Sequence, residues 1–219
     1  MPASDRPAVS RDRTLAAAIG LADDEGLTAV SMRRVAALLD VVPMALYKHV
    51  ANKDDLVAAM VDAVVAEYEE PAPGGAWQDR VRARLLAARR ALATHPWLRR
   101  AIESRTIRTP AVLAHMNAVT GEFIDGGLSP DLAHHAMHAL GHRIWGFSPE
   151  AFDEPGGSEP SPEQVETFTA TFPHIVAVAT DTTRDGGRCD PDFEFDFALD
   201  LLLDGVARRH AAGWTSARR

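Results

Sequence analysis

Tyr47, Lys48 and His49 stand side by side in the stretch MALYKHVANKDDL, and Lys53 follows four residues later. Their side chains donate hydrogen bonds and the lysines are cations, so the group suits contact with DNA phosphates and base edges. Ala45 stands just before them, and short side chains near the start of a recognition helix allow close approach to the bases. The stretch therefore favours DNA recognition.

A second group that could do chemistry is a row of histidines. His134, His138 and His142 are spaced four residues apart, so a helix would present them on one face. Such a pair can bind Zn²⁺ or another transition metal, but the sequence places no Cys or Glu to complete a site, so we expect no metal and no cofactor. A pocket wall or a dimer interface is the preferred interpretation. A helical-bundle enzyme that binds a metal or a small molecule on this face is the alternative.

The elements that must position the first group are short helices. Ser10 predicts the cap of a first helix, which ends at Gly26. Ser31 predicts the cap of a second, which ends near Asp40, a residue type that tolerates the left-handed conformation of a tight turn.

Two further helices follow at once. Pro43 suits the first position of a short third helix that reaches about Val50. Asn52 caps a fourth helix, with Asp55 three residues on in an aspartate version of the capping box. Lys53 begins this helix, where both its charge and the helix N-terminus favour a phosphate. The second and third helices have the lengths of a helix-turn-helix.

Helical periodicity continues beyond the breaker EEPAPGGAW at residues 69–77, and no alternating strand pattern of useful length appears. We therefore predict an all-α fold with a head at residues 1–70 and a body at residues 77–219. The helices predicted in the body cover residues 77–95, a short stretch between Pro96 and Pro110, 110–124, 131–147, 163–180 with an interruption at Pro173, and the C-terminal segment.

Charge is distributed unevenly along the 219 residues. The net charge is −8, yet residues 1–53 carry seven Lys or Arg against six Asp or Glu, a balance of +1. An acidic body discourages non-specific adhesion to DNA and leaves contact to the head. No apolar run approaches the roughly 18 residues of a membrane span, and the single Cys189 agrees with a reducing compartment, so we expect no membrane partner and a cytoplasmic protein.

Residues 27–60, LTAVSMRRVAALLDVVPMALYKHVANKDDLVAAM, resemble the DNA-binding head of the tetracycline-repressor (TetR) family of one-component transcriptional regulators. The most specific part is LYKHVANKDDL, and Asp40 departs from the glycine common in the family's turn. The resemblance implies that Tyr47, His49 and Lys53 mainly hold phosphates, whereas variable positions carry sequence choice. The operator-contacting positions that it implies are Arg33, Pro43, Met44, Ala45, Tyr47, Lys48, His49 and Lys53.

The segments HALGHRIWGF, at residues 138–147, and FEFDFALDLLLDGV, at residues 193–206, resemble the ligand-binding and dimerisation domain of the tetracycline-repressor subgroup. That resemblance implies a four-helix interface in a homodimer; ordinary intramolecular core is the alternative. The side chains expected in the interface are Leu140, Ile144, Phe197, Leu201 and Leu202.

An effector pocket in the body should be lined by apolar and aromatic groups with a few polar ones. The stretch RAIESRTIRTP lacks the histidine with which the tetracycline repressor holds the Mg²⁺ of its drug, which argues against tetracycline recognition. Core packing is the alternative for each candidate. The pocket candidates are Trp97, Met116, Phe123, His138, His142, Trp145, Phe168 and Phe172.

Together the residues and the resemblance predict a DNA-binding transcriptional regulator, a repressor rather than an activator. We expect a homodimer that reads a near-palindromic double-stranded operator and is released by an unidentified small-molecule effector. Besides the enzyme alternative, a helical interaction module without DNA affinity stays open at this stage.

Overall fold

The computed structural model describes residues 9–104, 108–145, 161–174, 176 and 190–216. Regular structure in these ranges is entirely helical, as the sequence predicted. The α-helices are α1 (Arg11–Glu25), α2 (Met32–Leu38), α3 (Lys53–Ala66), α4 (Trp77–Thr94), α5 (Trp97–Glu103), α6 (Pro110–Asp125), α7 (Pro130–Trp145), α8 (Pro162–Thr171) and α9 (Pro191–Ala211). The 3-10 helices are Leu27–Ala29 and Pro43–Lys48.

The first three α-helices begin at the predicted caps. Side-chain oxygens of Ser10, Ser31 and Asn52 each accept the backbone N–H three residues on, at 3.2, 3.3 and 2.9 Å. Each bond satisfies a donor that the helix itself leaves unpaired. Gly26 ends α1 with a φ of 82°, and Asp40 follows α2 in the left-handed region with a φ of 55°.

The third helix of the head differs from the prediction, because Pro43–Lys48 is a 3-10 helix. A 3-10 helix rises about 2.0 Å per residue, against about 1.5 Å for an α-helix. A few residues can therefore cover the distance from the turn at Asp40 to the cap of α3 while Leu46 stays fully buried.

Helix α3 packs against α1, α5 and α6, so it joins the head to the helices that follow. Asp62 of α3 accepts a hydrogen bond from the backbone N–H of Ala111, in the first turn of α6, at 3.0 Å. Near the end of α1, one carboxylate oxygen of Asp23 lies 2.8 Å from His95 Nδ1 and accepts from Trp97 Nε1 at 2.7 Å. These side chains fix α1 and α3 against α5 and α6.

An ion-pair cluster joins α4 to α6. Glu122 is buried on α6, and its two carboxylate oxygens accept from Arg80 Nε at 2.5 Å and Arg84 Nε at 2.9 Å. Arg84 also lies 2.7 Å from a carboxylate oxygen of Glu70. Burial alone would raise the pKa of Glu122, but the hydrogen bonds and charges of the two arginines outweigh it, so that pKa is lowered.

The turn after α6 is packed tightly against α4. Gly126 lies so close to the Trp77 indole that an added Cβ would sit 2.6 Å from its Cγ and Cδ1 atoms. Trp77 in turn packs on Phe123, with ring centroids 5.4 Å apart. The next residue, Gly127, has a φ of 85°, which favours glycine for conformational reasons. The two adjacent glycines therefore have different physical roles.

The chain forms two compact units. One contains the residues through Met137 and those from Thr215 onward, and the other contains His138–Trp214. Helix α7 runs from the first unit into the second. Among the described helices, none is both long enough and apolar enough to cross a membrane.

Candidate nucleic-acid interface

The recognition segment, residues 42–50, is held to the head by two buried side chains, Leu46 and Val50. The turn before it is fixed by the Val41 N–H, which donates to the Ala36 carbonyl of α2 at 3.0 Å. At its end the Leu46 carbonyl accepts from the N–H groups of His49 and Val50, at 2.8 and 3.1 Å. With Leu46 in the core, the remaining sides of this short helix face outward.

All eight residues for which DNA contact was predicted lie in the head, and none of them is buried. Met44 is 71% exposed and Tyr47 is 45% exposed, although both are large apolar or aromatic groups. Ala45 and His49 are half-buried. The exposed members are Arg33, Pro43, Met44, Tyr47, Lys48 and Lys53. Their contact with DNA stays a prediction.

Lys53 is the first residue of α3, and its surroundings are rigid. The Asn52 side chain accepts from the Asp55 N–H, and Asp55 Oδ2 accepts from the Ala51 N–H at 2.8 Å, which completes a capping box shifted by one residue. Asp54 and Asp55 both lie in the first turn and oppose the positive potential of the helix N-terminus. The ammonium group of Lys53, more than the helix dipole, is therefore suited to a phosphate.

Two other arginines of the head tie α1 to α2 and to the recognition segment. Arg34 forms two hydrogen bonds to the carboxylate of Glu25, at 2.5 and 2.8 Å, and so ties α2 to α1. The hydrogen bond from Arg34 lowers the pKa of Glu25. Arg11, at the start of α1, donates to the His49 carbonyl at 3.5 Å. Sequence analysis missed Arg11 because 38 residues separate it from His49.

A polar group that sequence analysis also missed lies where residues after α3 meet α6. The rings of Tyr68 and His115 are perpendicular, with centroids 5.0 Å apart. The Tyr68 hydroxyl is buried without a hydrogen-bond partner among the described residues, and burial raises the pKa of its phenol to about 12. Burial, and then the charge of Arg84, lower the pKa of His115 against a smaller opposing effect of Glu70. The pair therefore presents a protonated phenol and favours a neutral imidazole.

The predicted pocket residues are distributed over both units. In the first unit Trp97 and Phe123 are buried, and Met116 is exposed on α6. Trp97 is bonded to Asp23, so it serves the packing of α1 on α5, in line with the core alternative. In the second unit His138, Phe168 and Phe172 are exposed. The side chains of His142 and Trp145 lie outside the described residues, and ligand contact stays a prediction for the whole set.

The histidine face is described only in part. His134 and His138 are exposed on α7, and the rings of His134 and His135 meet edge to face with centroids 5.1 Å apart. His135 Nε2 lies 3.8 Å from Asp131 Oδ1. Within the part of the chain that the structure covers, no three His, Cys, Asp or Glu side chains form a group able to hold a metal ion.

Helix α9 carries an exposed apolar stripe, here called the α9 stripe, of Phe193, Phe197 and Leu201 at four-residue spacing. Phe197 and Leu201 are 52% and 56% exposed, and the rings of Phe193 and Phe197 stack with centroids 6.4 Å apart. Leu202 is half-buried. Leu140 is only 2% exposed, which favours the core alternative for that residue. Ile144 falls outside the described side chains.

Two family models match this chain. The model for bacterial regulatory proteins of the tetR family matches residues 15–60, and the model for the tetracyclin repressor-like C-terminal domain matches residues 70–210. The first covers the helices of the head, and the second covers most of the remaining chain.

Among the curated proteins, the HTH-type transcriptional repressor DrrR1 of Streptomyces coeruleorubidus is 30% identical over 92% of this chain and 78% of its own length. Among the solved structures, apo ActR from Streptomyces coelicolor is 27% identical with a TM-score of 0.72, over 95% of this chain and 99% of that one. ActR in complex with (S)-DNPA is 26% identical with a TM-score of 0.70, over 92% and 98%.

Proposed function

Because this chain belongs to the TetR family of bacterial regulatory proteins, we propose that it is a homodimeric repressor that leaves a near-palindromic operator when a small molecule binds. The chain is a DNA-binding transcriptional regulator and not an enzyme. In the proposal, residues 1–70 bind DNA, and residues 77–219 bind the effector and dimerise. In the same proposal the protein acts on chromosomal DNA and is therefore cytoplasmic.

The recognition segment carries the proposal for DNA. Leu46 and Val50 hold it to the core, so Met44, Tyr47 and Lys48 are left exposed on a rigid support. On a helix in the major groove, such outward side chains would meet base edges and phosphates. Two such heads would occupy half-sites about 34–36 Å apart, one turn of the duplex.

Lys53→Ala should weaken binding to all DNA sequences by about tenfold and reduce the slope of log affinity against log salt by about one, since it removes one phosphate contact. Tyr47→Ala should likewise weaken binding without regard to sequence. Lys48→Ala should instead change which operator is preferred. Fluorescence anisotropy with DNA from upstream of the protein's own gene, at several salt concentrations, measures all three.

Arg100→Ala is the matched control, because it removes an exposed cation on α5, outside the head. Equal losses for Arg100→Ala and Lys53→Ala would mean that net charge alone governs binding. The absence of any sequence-specific complex at moderate salt would overturn the proposed function.

The effector part of the proposal is supported by the Tyr68 and His115 pair. A buried phenol without a partner is costly, and a ligand with a hydrogen-bond acceptor would satisfy it. ActR, a relative of 26% identity, has been solved with (S)-DNPA bound. In this chain we propose that the effector binds the body where it meets Tyr68, at the end of the head, and favours a conformation whose heads no longer match the half-site spacing, so operator affinity falls.

The dimer part of the proposal rests on the α9 stripe. The opposite face of α9 holds the buried Phe195, Leu199 and Leu203, so the stripe is a second apolar face that folding of one chain leaves exposed. Leu201→Glu should place a charge in the proposed interface and weaken self-association at least tenfold. Sedimentation equilibrium should then show a shift from twice the chain mass towards the chain mass.

Leu113→Glu provides the comparison, because it makes the same change at an equally exposed leucine on α6. It should leave the mass in solution unchanged. If Leu201→Glu sediments like the unmodified protein while circular dichroism shows intact helices, the α9 stripe is not the interface.

A further inference from the structure

Four consecutive residues at the start of the recognition segment have apolar side chains without a hydrogen-bond donor: Val42, Pro43, Met44 and Ala45. Met44 and Val42 are 71% and 67% exposed, the highest values among the large apolar side chains of the described residues. Packing within the described chain therefore does not account for the apolar character of Val42 and Met44. An apolar surface at this position needs an apolar partner.

The major groove offers one such partner. Every base presents hydrogen-bond donors or acceptors along its major-groove edge, and thymine alone adds an apolar C5-methyl group beside its O4 acceptor. Apolar side chains cannot pair with donors or acceptors and would leave them desolvated and unsatisfied. They can exclude water from a methyl group. The apolar side chains of residues 42–45 therefore favour contact with thymine.

Exposed cations in the same head favour DNA as the partner of residues 42–45. Arg33, Lys48 and Lys53 are exposed cations of the same head, and Arg11 donates to the backbone of the recognition segment. A hydrophobic protein partner would not require these cations, whereas a duplex does, because phosphates flank the groove on both sides.

We propose that Val42 and Met44 read thymine methyl groups in each operator half-site, with Val42 a specificity residue that the sequence pattern did not indicate. The inference rests on the proposed function, because it names the base that the DNA-binding head selects. It requires at least two thymines per half-site at positions where the methyl group projects towards the start of the 3-10 helix.

Selection of binding sites by the full-length protein from a random double-stranded library is the first step of the test. Each invariant thymine is then replaced by deoxyuridine, which keeps base pairing and removes only the methyl group. Loss of one methyl contact should weaken binding about fourfold, since burial of one such group accounts for a factor of that size. Removal at two positions in one half-site should weaken it about fifteenfold.

Crossing each uracil substitution with Val42→Ala and Met44→Ala assigns the contacts. Uracil should have no effect at the position whose protein partner has been truncated and should keep its fourfold effect at the other. Leu38→Ala is the matched control, because Leu38 is also an exposed apolar side chain, at 58%, but lies on α2, outside the recognition segment. It should leave every uracil effect unchanged.

Failure of thymine reading and failure of the proposed function give different results. If no sequence is enriched, the proposed function fails. If a sequence is enriched but contains no invariant thymine, or tolerates uracil at each position, thymine reading is wrong while the proposed function stands. Uracil effects that persist undiminished in both Val42→Ala and Met44→Ala would also overturn it.

Discussion

Glu122→Ala is expected to lower the free energy of unfolding by about 3 kcal/mol, because it removes the carboxylate that two largely buried arginines share and leaves their charges only partly compensated, by Glu70 at Arg84. Glu122 is held by Arg80 and Arg84, whose side chains are 20% and 12% exposed, so water only partly replaces the lost carboxylate. The substitution also removes the two side-chain hydrogen bonds that join α4 to α6 at this position. Urea denaturation followed by circular dichroism measures the change.

The dependence of this effect on pH tests its electrostatic origin. The pKa of Glu122 is lowered in the folded protein from an ordinary value of 4.5. Its ionised form therefore stabilises the fold fully above that value, and the contribution is lost as pH falls through the lower folded pKa. Glu122→Gln keeps the shape but not the charge, so its stability deficit should shrink over the same range. A deficit that does not vary with pH would contradict the charge explanation.

Gly126→Ala is expected to destabilise the fold by about 2 kcal/mol through overpacking. The added methyl group would lie 2.6 Å from Trp77, whose Cβ is itself only 2.7 Å away, so rotation of the indole cannot fully relieve the contact. The φ of Gly126 is −74°, which alanine adopts without strain. The whole effect therefore reports on packing, and thermal or urea unfolding measures it.

Gly121→Ala is the control for this substitution. Gly121 lies in α6, five residues earlier, and an added Cβ would meet nothing within 4 Å. Alanine is the better helix former, so this variant should gain up to about 1 kcal/mol. If both variants moved stability in the same direction, close packing against Trp77 would not be the reason for glycine at position 126.

Local signals in the sequence predicted the head well. Ser10, Ser31 and Asn52 cap helices because their side-chain oxygens reach a donor three residues away, which is visible in any linear reading. The 3-10 form of Pro43–Lys48 was not predicted, since it depends on the position of Leu46 in a tertiary core. The helix propensities of residues 43–48 do not reveal the position that the core imposes on Leu46.

Contacts between residues that are far apart in the sequence were not predicted in the body. Glu122 lies about 40 residues from Arg80 and Arg84, so no local pattern pairs it with them. Tyr68 and His115 escaped notice for the same reason, because only folding brings them together. Aromatic content suggested Trp97 and Phe123 for a pocket, yet composition does not distinguish a pocket wall from packed core.

The 3-10 form of the recognition helix has a consequence for engineering. With three residues per turn, Leu46 lies on the same edge as Pro43 and His49 and is the buried member of that edge, while Met44 with Tyr47 and Ala45 with Lys48 form the other two edges. Folding depends on the buried Leu46, whereas contact with DNA is proposed for the other two edges. The head is therefore a scaffold on which a library at positions 44, 45 and 48 can be screened for new DNA targets at little cost in stability.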